Sequence, residues 1–458
     1  MSATRKRPTR RGVALLMVIT AIAMLTAVAV EFSYRARVEA RLAANARDQL
    51  RAYYLARSAV ALGRLVLHFQ RQVDSIQIPG SIMGMLGGLM GGGMPGMGGS
   101  STALPTSLAS AQSGSLHLRL WDVIPVDSGT LQLFIGPPTD TLDEDFGGKK
   151  EPPPPPEPLN NGSKLGTEYK LSGVNRAFGD FEGTFHAEIA DEESKINVNA
   201  LNQLSALAAA TSMEMLTLMH WKDRKYDFLF QDDDMHRQIA REEVLNSLHD
   251  WIDADQTTST FNPIALSNFS DPFAAGFGDE DEFYQRQEPR YRAKNALLDT
   301  VQELYEVHGI TDRFMAAFGK SLTVYSSPSA LLNVNTSDPN QQLTNVLVSL
   351  DTTRNPEVVQ QLLGSPILLQ TVLSEIQMLR MFSFLGLSVQ SFVAVLTANG
   401  LPVNPFLTTP NSPNAFLGDT SQTFTIKATG QVGDVESRIT AVIRYDDQLG
   451  KLLYWREE

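Results

Sequence analysis

The N-terminal segment constrains this chain more than any other part of it. The first eleven positions are rich in arginine and lysine, and a single glycine follows at Gly12. About 18 uncharged, mostly apolar residues then run from Val13 to the charged Glu31, enough for a helix to cross a bilayer. The basic head is expected on the cytoplasmic side, which sends the rest of the chain outward.

A cleaved secretory signal fits this segment less well, because such a signal ends in a small-residue cleavage site and a break. Residues 31–62 contain no Gly or Pro, and helix-forming residues continue to about Val73. The pattern predicts one helix of roughly sixty residues, about 90 Å long at 1.5 Å per residue. Residues 13–30 would cross the membrane, and residues 31–75 would continue as an amphipathic helix. An ordinary signal anchor is the alternative.

Composition limits what the exported part can be. The chain has 458 residues and 43% hydrophobic residues, enough for two or three domains with substantial cores. It has no cysteine, which excludes disulfides and thiolate metal sites. The formal net charge is −13 despite the basic head, so we expect no nucleic-acid partner, while cations are compatible with this charge.

The pattern of the remaining chain predicts a sheet that brackets a helical insertion, in the α+β class. Strand-like alternation occurs at 116–121, 130–135 and 184–190, and an antiparallel meander is predicted over 422–455. Between them, residues 195–200 (KINVNA) and 331–336 (LLNVNT) form a weak repeat. Each is expected to be a short strand and a turn that caps the next helix. A duplicated helical unit is therefore predicted.

These patterns divide the chain into eight segments. They are a basic leader (1–12), a transmembrane segment (13–30), the amphipathic continuation (31–75), a Gly/Met-rich loop (76–114), a segment of strands (115–195) with a Pro-rich linker (147–164), a first helical subdomain (196–330), a second helical subdomain (331–415) and C-terminal antiparallel strands (416–458).

Two acidic clusters are the best candidates for a binding site. Asp253 and Asp255 lie two residues apart at a predicted helix end, and residues 278–284 (GDEDEFY) supply the second cluster. Adjacent carboxylates repel one another unless water or a cation neutralises them, and calcium accepts six to eight oxygen ligands in irregular geometry. The loop is not an EF-hand, because the glycine and the final glutamate are missing. Spacing alone leaves a metal site and two solvated turns as equal alternatives.

No enzyme motif accompanies these clusters. Paired carboxylates occur in glycosidases, but the sequence contains no HExxH, GxSxG or P-loop pattern, and its histidines are scattered. The NVNT turn is compatible with a helix-hairpin-helix DNA-binding module, which the acidic charge and the export signal disfavour. We therefore expect no enzymatic activity.

Residues 11–16 (RGVALL) resemble the class III signal sequences of type IV pilins and pseudopilins. The resemblance implies cleavage by a prepilin peptidase between Gly12 and Val13, and methylation of the new N-terminus. Most such proteins carry glutamate at the fifth mature position, where this chain has Met17. The absence of this glutamate is typical of the K-type minor pseudopilin of type II secretion, the GspK family. Residues 189–199 (IADEESKINVN), 248–255 (LHDWIDAD) and 291–295 (YRAKN) are similar to that family as well.

The resemblance to the GspK family implies a long N-terminal helix packed on a pilin-like antiparallel sheet, with a large helical domain inserted in the sheet. It implies calcium bound by Asp253, Asp255, Glu280 and Asp281. It also implies a single-pass inner-membrane protein, with its bulk in the periplasm, that caps the pseudopilus tip and helps start assembly. The implied partners are other minor pseudopilins, the major pseudopilin, the inner-membrane assembly platform and the prepilin peptidase. A minor tip pilin of a type IV pilus and a membrane-anchored periplasmic metal-dependent hydrolase are the alternatives.

Overall fold

The computed structural model describes most of the chain except its first ten residues and several internal segments. It covers residues 11–74, 117–135, 176–178, 181–203, 205–220, 226–230, 240–336, 338–351, 356–381, 385–409, 412, 414–447 and 449–458. The loop predicted at 76–114 and the linker predicted at 147–164 lie outside these residues.

Helix α1 (Arg11–Asp74) is continuous over 64 residues, as the sequence predicted. Its N-terminal part is exposed, whereas its C-terminal part packs on a sheet through small residues, of which Ala52, Ala56 and Ala59 are fully buried. Gly430 on the facing strand makes this close approach possible, because a Cβ atom there would lie only 2.1 Å from the carbonyl oxygen of Ala52.

The strands are mostly short, apart from those of one large sheet. They are β1 (His117–Leu118), β2 (Val126–Asp127), β3 (Arg176–Phe178), β4 (Phe181–Glu182), β5 (Thr184–Asp191), β6 (Ile196–Asn197), β7 (Thr257–Phe261), β8 (Phe273–Asp279), β9 (Leu322–Thr323), β10 (Leu332–Asn333), β11 (Leu385–Gly386), β12 (Leu417–Gly418), β13 (Thr423–Val432), β14 (Val435–Arg444) and β15 (Lys451–Glu457).

The large sheet is antiparallel, with the strand order β15-β14-β13-β5-β2. The predicted C-terminal meander is confirmed as β13, β14 and β15. Because β5 leads into the helical body and β13 returns from it, the helical segments are an insertion in the sheet. The predicted α+β architecture is therefore confirmed.

The strand predicted at 130–135 is wrong, since residues Ser128–Ile135 form a helix, and the strand predicted at 116–121 is confirmed only at His117–Leu118, since a short helix follows at Leu120–Val123. Tertiary contacts outweigh the strand-like alternation at 130–135. The side chain of Asp127 accepts a hydrogen bond from the Thr130 N–H at 2.7 Å, as a helix N-cap does. The hydroxyl of Ser128 accepts from the N–H of Phe185 at 2.7 Å, which ties the start of this helix to β5.

The other helices belong mainly to the inserted body. They are α2 (Leu120–Val123), α3 (Ser128–Ile135), α4 (Ser205–Met219), α5 (Arg241–Ile252), α6 (Pro263–Ser267), α7 (Asp281–Tyr284), α8 (Asp312–Phe318), α9 (Pro339–Val348), α10 (Pro356–Gly364), α11 (Pro366–Met381), α12 (Val389–Ala398) and α13 (Pro405–Thr408), with 3-10 turns at Val198–Asn202, Asp227–Leu229, Val301–Glu306 and Gly319–Ser321.

The two asparagine-rich motifs begin two similar units of this body. In the first, β6 pairs in parallel with β9, and in the second, β10 pairs in parallel with β12. The second asparagine of each motif, Asn199 or Asn335, does not cap the following helix as expected. Each binds a distant backbone segment instead, at Leu298 and Leu387 respectively. The second asparagine of the motif therefore has the same role in both units, which is to bind a distant backbone segment.

The sheet and both helical units meet at the end of β5, where Asp191, Glu192 and Glu193 are consecutive and buried. Each carboxylate accepts a hydrogen bond from a different part of the chain. These bonds are Asn333 Nδ2 to Asp191 Oδ2 (2.9 Å), Thr323 Oγ1 to Glu192 Oε2 (2.6 Å) and Thr423 Oγ1 to Glu193 Oε1 (3.0 Å). This junction fixes the inserted body on the sheet.

The segment 196–330 is not purely helical, contrary to the prediction. Strands β7 and β8 form an antiparallel hairpin within it, and helix α6 lies in the loop between them. Beta-branched Thr257, Thr258 and Thr260 favour a strand in β7. Phe261 and Phe273 face each other across the hairpin and are buried, which anchors it on the helical core.

Candidate metal centre

The two acidic clusters meet at the base of this hairpin. Helix α5 ends at Ile252, and the N–H of Asp253 still donates to the His249 carbonyl at 2.9 Å. Thr257, at the start of β7, pairs with Asp279, at the end of β8. This pairing brings Asp255, which precedes β7, close to Glu280, which follows β8.

Three of the four predicted ligands come together. Asp253, Asp255 and Glu280 each offer a carboxylate oxygen, and these oxygens all lie within 4.8 Å of one another. Asp253 is 6% exposed and Glu280 is 5% exposed, while Asp255 is at the surface. Both carboxylate oxygens of Glu280 and Oδ1 of Asp253 are buried without a hydrogen-bond partner among the described residues.

Such an arrangement is costly unless something positive is bound, because buried carboxylate oxygens need hydrogen bonds or a cation. The pKa of Glu280 is raised to about 8, first by burial and then by the negative charges of its neighbours, Asp253 foremost. A cation among these carboxylates would favour their ionised forms and provide the missing partners. The three residues therefore fit a hard divalent cation.

Asp281, the fourth predicted ligand, is engaged elsewhere. Its Oδ1 accepts from the Ala293 N–H at 2.9 Å, and its Oδ2 lies 3.6 Å from Nε of Arg292. These contacts fix the loop at 291–295 against α7. Asp281 thus positions a neighbouring segment, while its charge still adds to the negative potential at Glu280.

Asn295 is a candidate ligand that the sequence analysis missed. Its amide nitrogen donates to the backbone carbonyl of Asp255, and its own Oδ1 is buried without a partner among the described residues. The backbone of Asn295 is left-handed, with φ of 48°, a conformation that asparagine tolerates better than most residues. This amide oxygen is of the type that calcium accepts. The only sequence signal was its place in the segment YRAKN.

His249 and Asp250 lie beside the three carboxylates, with Asp253 as the link. Burial raises the pKa of Asp250 to about 6, although Ser259 donates to this carboxylate and partly offsets the rise. His249 binds the Ser259 hydroxyl at 2.8 Å through Nδ1, and its ring stacks on Phe273 at 4.0 Å between centroids. His249 therefore packs between α5 and the hairpin.

The predicted cleavage site, Gly12 and Val13, lies within the first turn of α1. From Leu15 onward this helix contains a window with a mean hydropathy of 2.3 that is 0% buried. By length and composition, this one helix among the described residues is able to cross a membrane.

Comparison with known proteins gives one family match. Residues 194–327 match the family model described as "Type II secretion system (T2SS), protein K". This region holds the first asparagine motif, helices α4 to α8 and all four predicted metal ligands. No curated protein sequence matches the chain.

A solved structure also resembles the chain, at low similarity. It is the GspK-GspI-GspJ complex from the type 2 secretion system of enterotoxigenic Escherichia coli, with 16% identity, a TM-score of 0.36, and coverage of 60% of this chain and 80% of that chain. The family match includes residues 248–255, 291–295 and the end of 189–199, which carry part of the predicted resemblance. Residues 194–327 therefore form a domain that matches the protein K family of the type II secretion system, and the resemblance predicted from the sequence is confirmed for this domain.

Proposed function

We propose that this chain is a non-enzymatic minor pseudopilin that caps the tip of a type II secretion pseudopilus and helps start its assembly for protein export. The protein K domain at residues 194–327 carries this proposal. That domain belongs to an insertion between β5 and β13, and both strands contact α1. A body of this size next to the filament-forming helix favours an end position, because it would obstruct stacking of identical subunits along a fibre.

The anchor supports a membrane origin for the subunit. The residues at the start of α1 are exposed and apolar, including Leu15, Met17 and Ile22. In our proposal a prepilin peptidase cleaves between Gly12 and Val13, and the new N-terminus is methylated. Before assembly the protein is a single-pass protein of the inner membrane, with its C-terminal bulk in the periplasm.

The residue at position 17 supports the tip position. A carboxylate in hydrocarbon is costly unless it is paired. In pilin-like filaments this pairing is expected to come from the N-terminal amine of the subunit above. Met17 carries no carboxylate, so the subunit has no such group to pair. This fits a subunit with nothing above it.

The partners in this proposal are other minor pseudopilins, the major pseudopilin and the inner-membrane assembly platform. The similar solved structure is described as a complex of GspK with GspI and GspJ, and we propose corresponding neighbours for this chain. Nucleic acid is not among the proposed partners, because a net charge of −13 repels phosphates.

We further propose that calcium is structural in this protein. Asp253, Asp255 and Glu280, with Asn295 beside them, would hold it. The ion would bind carboxylates from the end of α5 and from both ends of the hairpin, and its positive charge would hold these segments together. The residues themselves fix this geometry, since Asp281 secures the 291–295 loop and Asn295 binds the Asp255 backbone.

Localisation in a strain lacking the native gene tests the tip proposal. A labelled chain should restore secretion and appear only at filament ends, with at most one copy per filament. Label at regular intervals along filaments would contradict tip capping. Loss of twitching with normal secretion would favour a type IV pilus, and catalytic turnover abolished by Asp253→Ala with assembly intact would favour a hydrolase.

A further inference from the structure

Strand β8 has an exposed edge whose main protection against pairing is a bulge between Ala275 and Asp279, where its register with β7 shifts. Among the described strands, β7 alone pairs with β8. Natural edge strands are usually protected by charged side chains or proline. Residues 273–278 (FAAGFG) contain neither, and most of β8 is exposed. Phe277 is fully exposed, so an apolar side chain is available beside this edge.

The hydrogen-bond pattern identifies which backbone groups are available. Asn262 N–H donates to the Pro272 carbonyl at 2.7 Å, and Thr260 pairs with Ala274. Alternate residues of an antiparallel strand bond to the same neighbour, so Phe273 and Ala275 direct their N–H and C=O groups away from β7. The Phe273 N–H already donates to Asp271 Oδ1 at 3.0 Å. Ala275 is thus the central residue of the exposed edge.

Charge determines what this edge accepts. Asp271 and Asp279 lie four residues before and after Ala275, and both are exposed. If a second copy of β8 paired antiparallel with this one around Ala275, Asp271 of each copy would lie at the same end of the pair as Asp279 of the other, although the register shift between Ala275 and Asp279 displaces the two from direct opposition. Like charges that approach each other across a pair of strands destabilise it. A strand with Lys or Arg at both positions would instead form opposite-charge pairs.

We propose that the outer edge of β8 binds an extended segment of another protein by strand addition. The segment has an uncharged, β-branched or aromatic centre and a basic residue about four positions to either side of it. Main-chain hydrogen bonds at Ala275 supply affinity, Phe277 supplies a cross-strand contact, and Asp271 and Asp279 select the basic ends. This surface goes beyond the proposed tip function and does not depend on it.

Synthetic peptides and the full chain in detergent with calcium test the proposal. The probe is KTVTVTVTK, with lysine four residues from its central valine on both sides. The comparison peptides are ETVTVTVTE and KTVTPTVTK, which reverse the end charges or remove the central N–H. We expect saturable binding of the first peptide, at least tenfold weaker binding of the other two, and slower amide hydrogen exchange at 273–279 on binding.

Variants locate the binding surface. Ala275→Pro should weaken binding of the lysine peptide at least tenfold. Asp271→Asn keeps the hydrogen bond to Phe273 and should reduce the preference for lysine over glutamate ends, even if the proline variant distorts the hairpin. Leu449→Ser, at another exposed apolar site, in the β14–β15 turn, should change neither the affinity for the lysine peptide nor the preference for lysine ends. Equal binding of the three peptides, or full binding by both β8 variants, would overturn the proposal. Protection of 273–279 before peptide is added would indicate self-association and overturn the choice of partner.

Discussion

Asn199 binds the backbone of Leu298 through both atoms of its amide group. Its Oδ1 accepts from the Leu298 N–H at 2.9 Å, and its Nδ2 donates to the Leu298 carbonyl at 3.0 Å. Asn335 does the same to Leu387, at 2.7 and 2.9 Å. Both asparagines are buried, and each also donates to a second carbonyl. In each helical unit, the side chain of one asparagine thus closes one long loop.

Asn335→Ala should destabilise the inserted body strongly. The change leaves the buried N–H and carbonyl of Leu387 and the half-buried carbonyl of Asp419 without their partner, and each such buried group costs about 1–3 kcal/mol. We expect a loss of roughly 3 kcal/mol in the free energy of unfolding, measured from urea unfolding followed by tryptophan fluorescence. Asn199→Ala should have a similar effect. Asn414→Ala, at an exposed position, is the control and should change stability by less than about 0.5 kcal/mol.

Gly430→Ala should loosen the contact between α1 and the sheet. A Cβ atom at this position would meet the Ala52 carbonyl oxygen at 2.1 Å and the Ala56 nitrogen at 2.6 Å, so the helix would have to move. Overpacking of this kind costs about 1–3 kcal/mol or more. Faster limited proteolysis near residue 52 would report the movement. Gly364→Ala, which has no heavy atom within 4 Å of the added Cβ, should be near neutral, and equal effects of both changes would contradict this explanation.

The sequence predicted the elements whose signals are local. Helix α1 followed from a long run without helix breakers, and the C-terminal meander followed from alternation with turns between strands. It mispredicted 130–135, where Asp127 and Ser128 start a helix through contacts that include β5. It did not predict the hairpin either, because alanine and glycine in β8 carry little strand propensity.

The candidate site could be predicted only in part, because it depends on strand pairing between residues that are distant in the sequence. The spacing of Asp253 and Asp255 was visible in the sequence, but their distance from Glu280 depends on the register of β7 and β8. Asn295 comes from a third segment, and nothing local indicates that its side chain reaches the Asp255 backbone. Spacing in the sequence could not show that Glu280, but not Asp281, joins the other two carboxylates. The Asp281 carboxylate accepts a hydrogen bond from the Ala293 N–H, and this long-range contact holds it away from them.

The junction at the end of β5 should make stability depend on pH. Burial raises the pKa of Glu193 from 4.5 to about 7 and that of Asp191 from 3.8 to about 6. A carboxyl group with a higher pKa in the folded chain binds more protons when folded, so its stabilising effect is complete at low pH and is lost as pH rises through the folded-state pKa. For Glu193 the loss occurs between about pH 4.5 and pH 7.

Urea midpoints at pH 5, 6, 7 and 8 with chelator present measure this dependence. Wild-type chain should lose stability on the order of 2 kcal/mol between pH 5 and pH 8 from Glu193. Glu193→Gln resembles the protonated acid, so its pH profile should be flatter by that amount. Parallel profiles for the two proteins would show that Glu193 stays ionised in the folded chain.

Processing provides a test that is independent of the folded body. If Gly12 precedes the cleavage site, mass spectrometry of the membrane-extracted protein should find a chain that starts at Val13, with a methylated N-terminus. Met17→Glu should leave this cleavage unchanged, because the substitution lies beyond the bond that is cut. A mature N-terminus beyond Ala29 would indicate an ordinary signal peptide and contradict the pseudopilin assignment of the anchor.

Calcium should stabilise the protein K domain if Asp253, Asp255 and Glu280 bind it. A ligand that binds only the folded state adds about 2.7 kcal/mol at a hundredfold excess over its dissociation constant. The melting temperature of the full chain in detergent should therefore be higher in calcium than in chelator. Magnesium should replace calcium poorly, because it demands stricter octahedral geometry and retains its waters.

Two variants separate the proposed ligands from their neighbours. Asp253→Ala combined with Asp255→Ala should abolish the difference between calcium and chelator, because only Glu280 of the three clustered carboxylates remains. Asp281→Asn should keep most of that difference, since the Asp281 carboxylate binds Ala293 and lies beside Arg292. Isothermal titration of the same proteins with calcium checks that the thermal effect is binding. Equal melting temperatures of the wild-type chain in calcium and in chelator, with no heat of binding, would mean that these carboxylates hold no calcium ion.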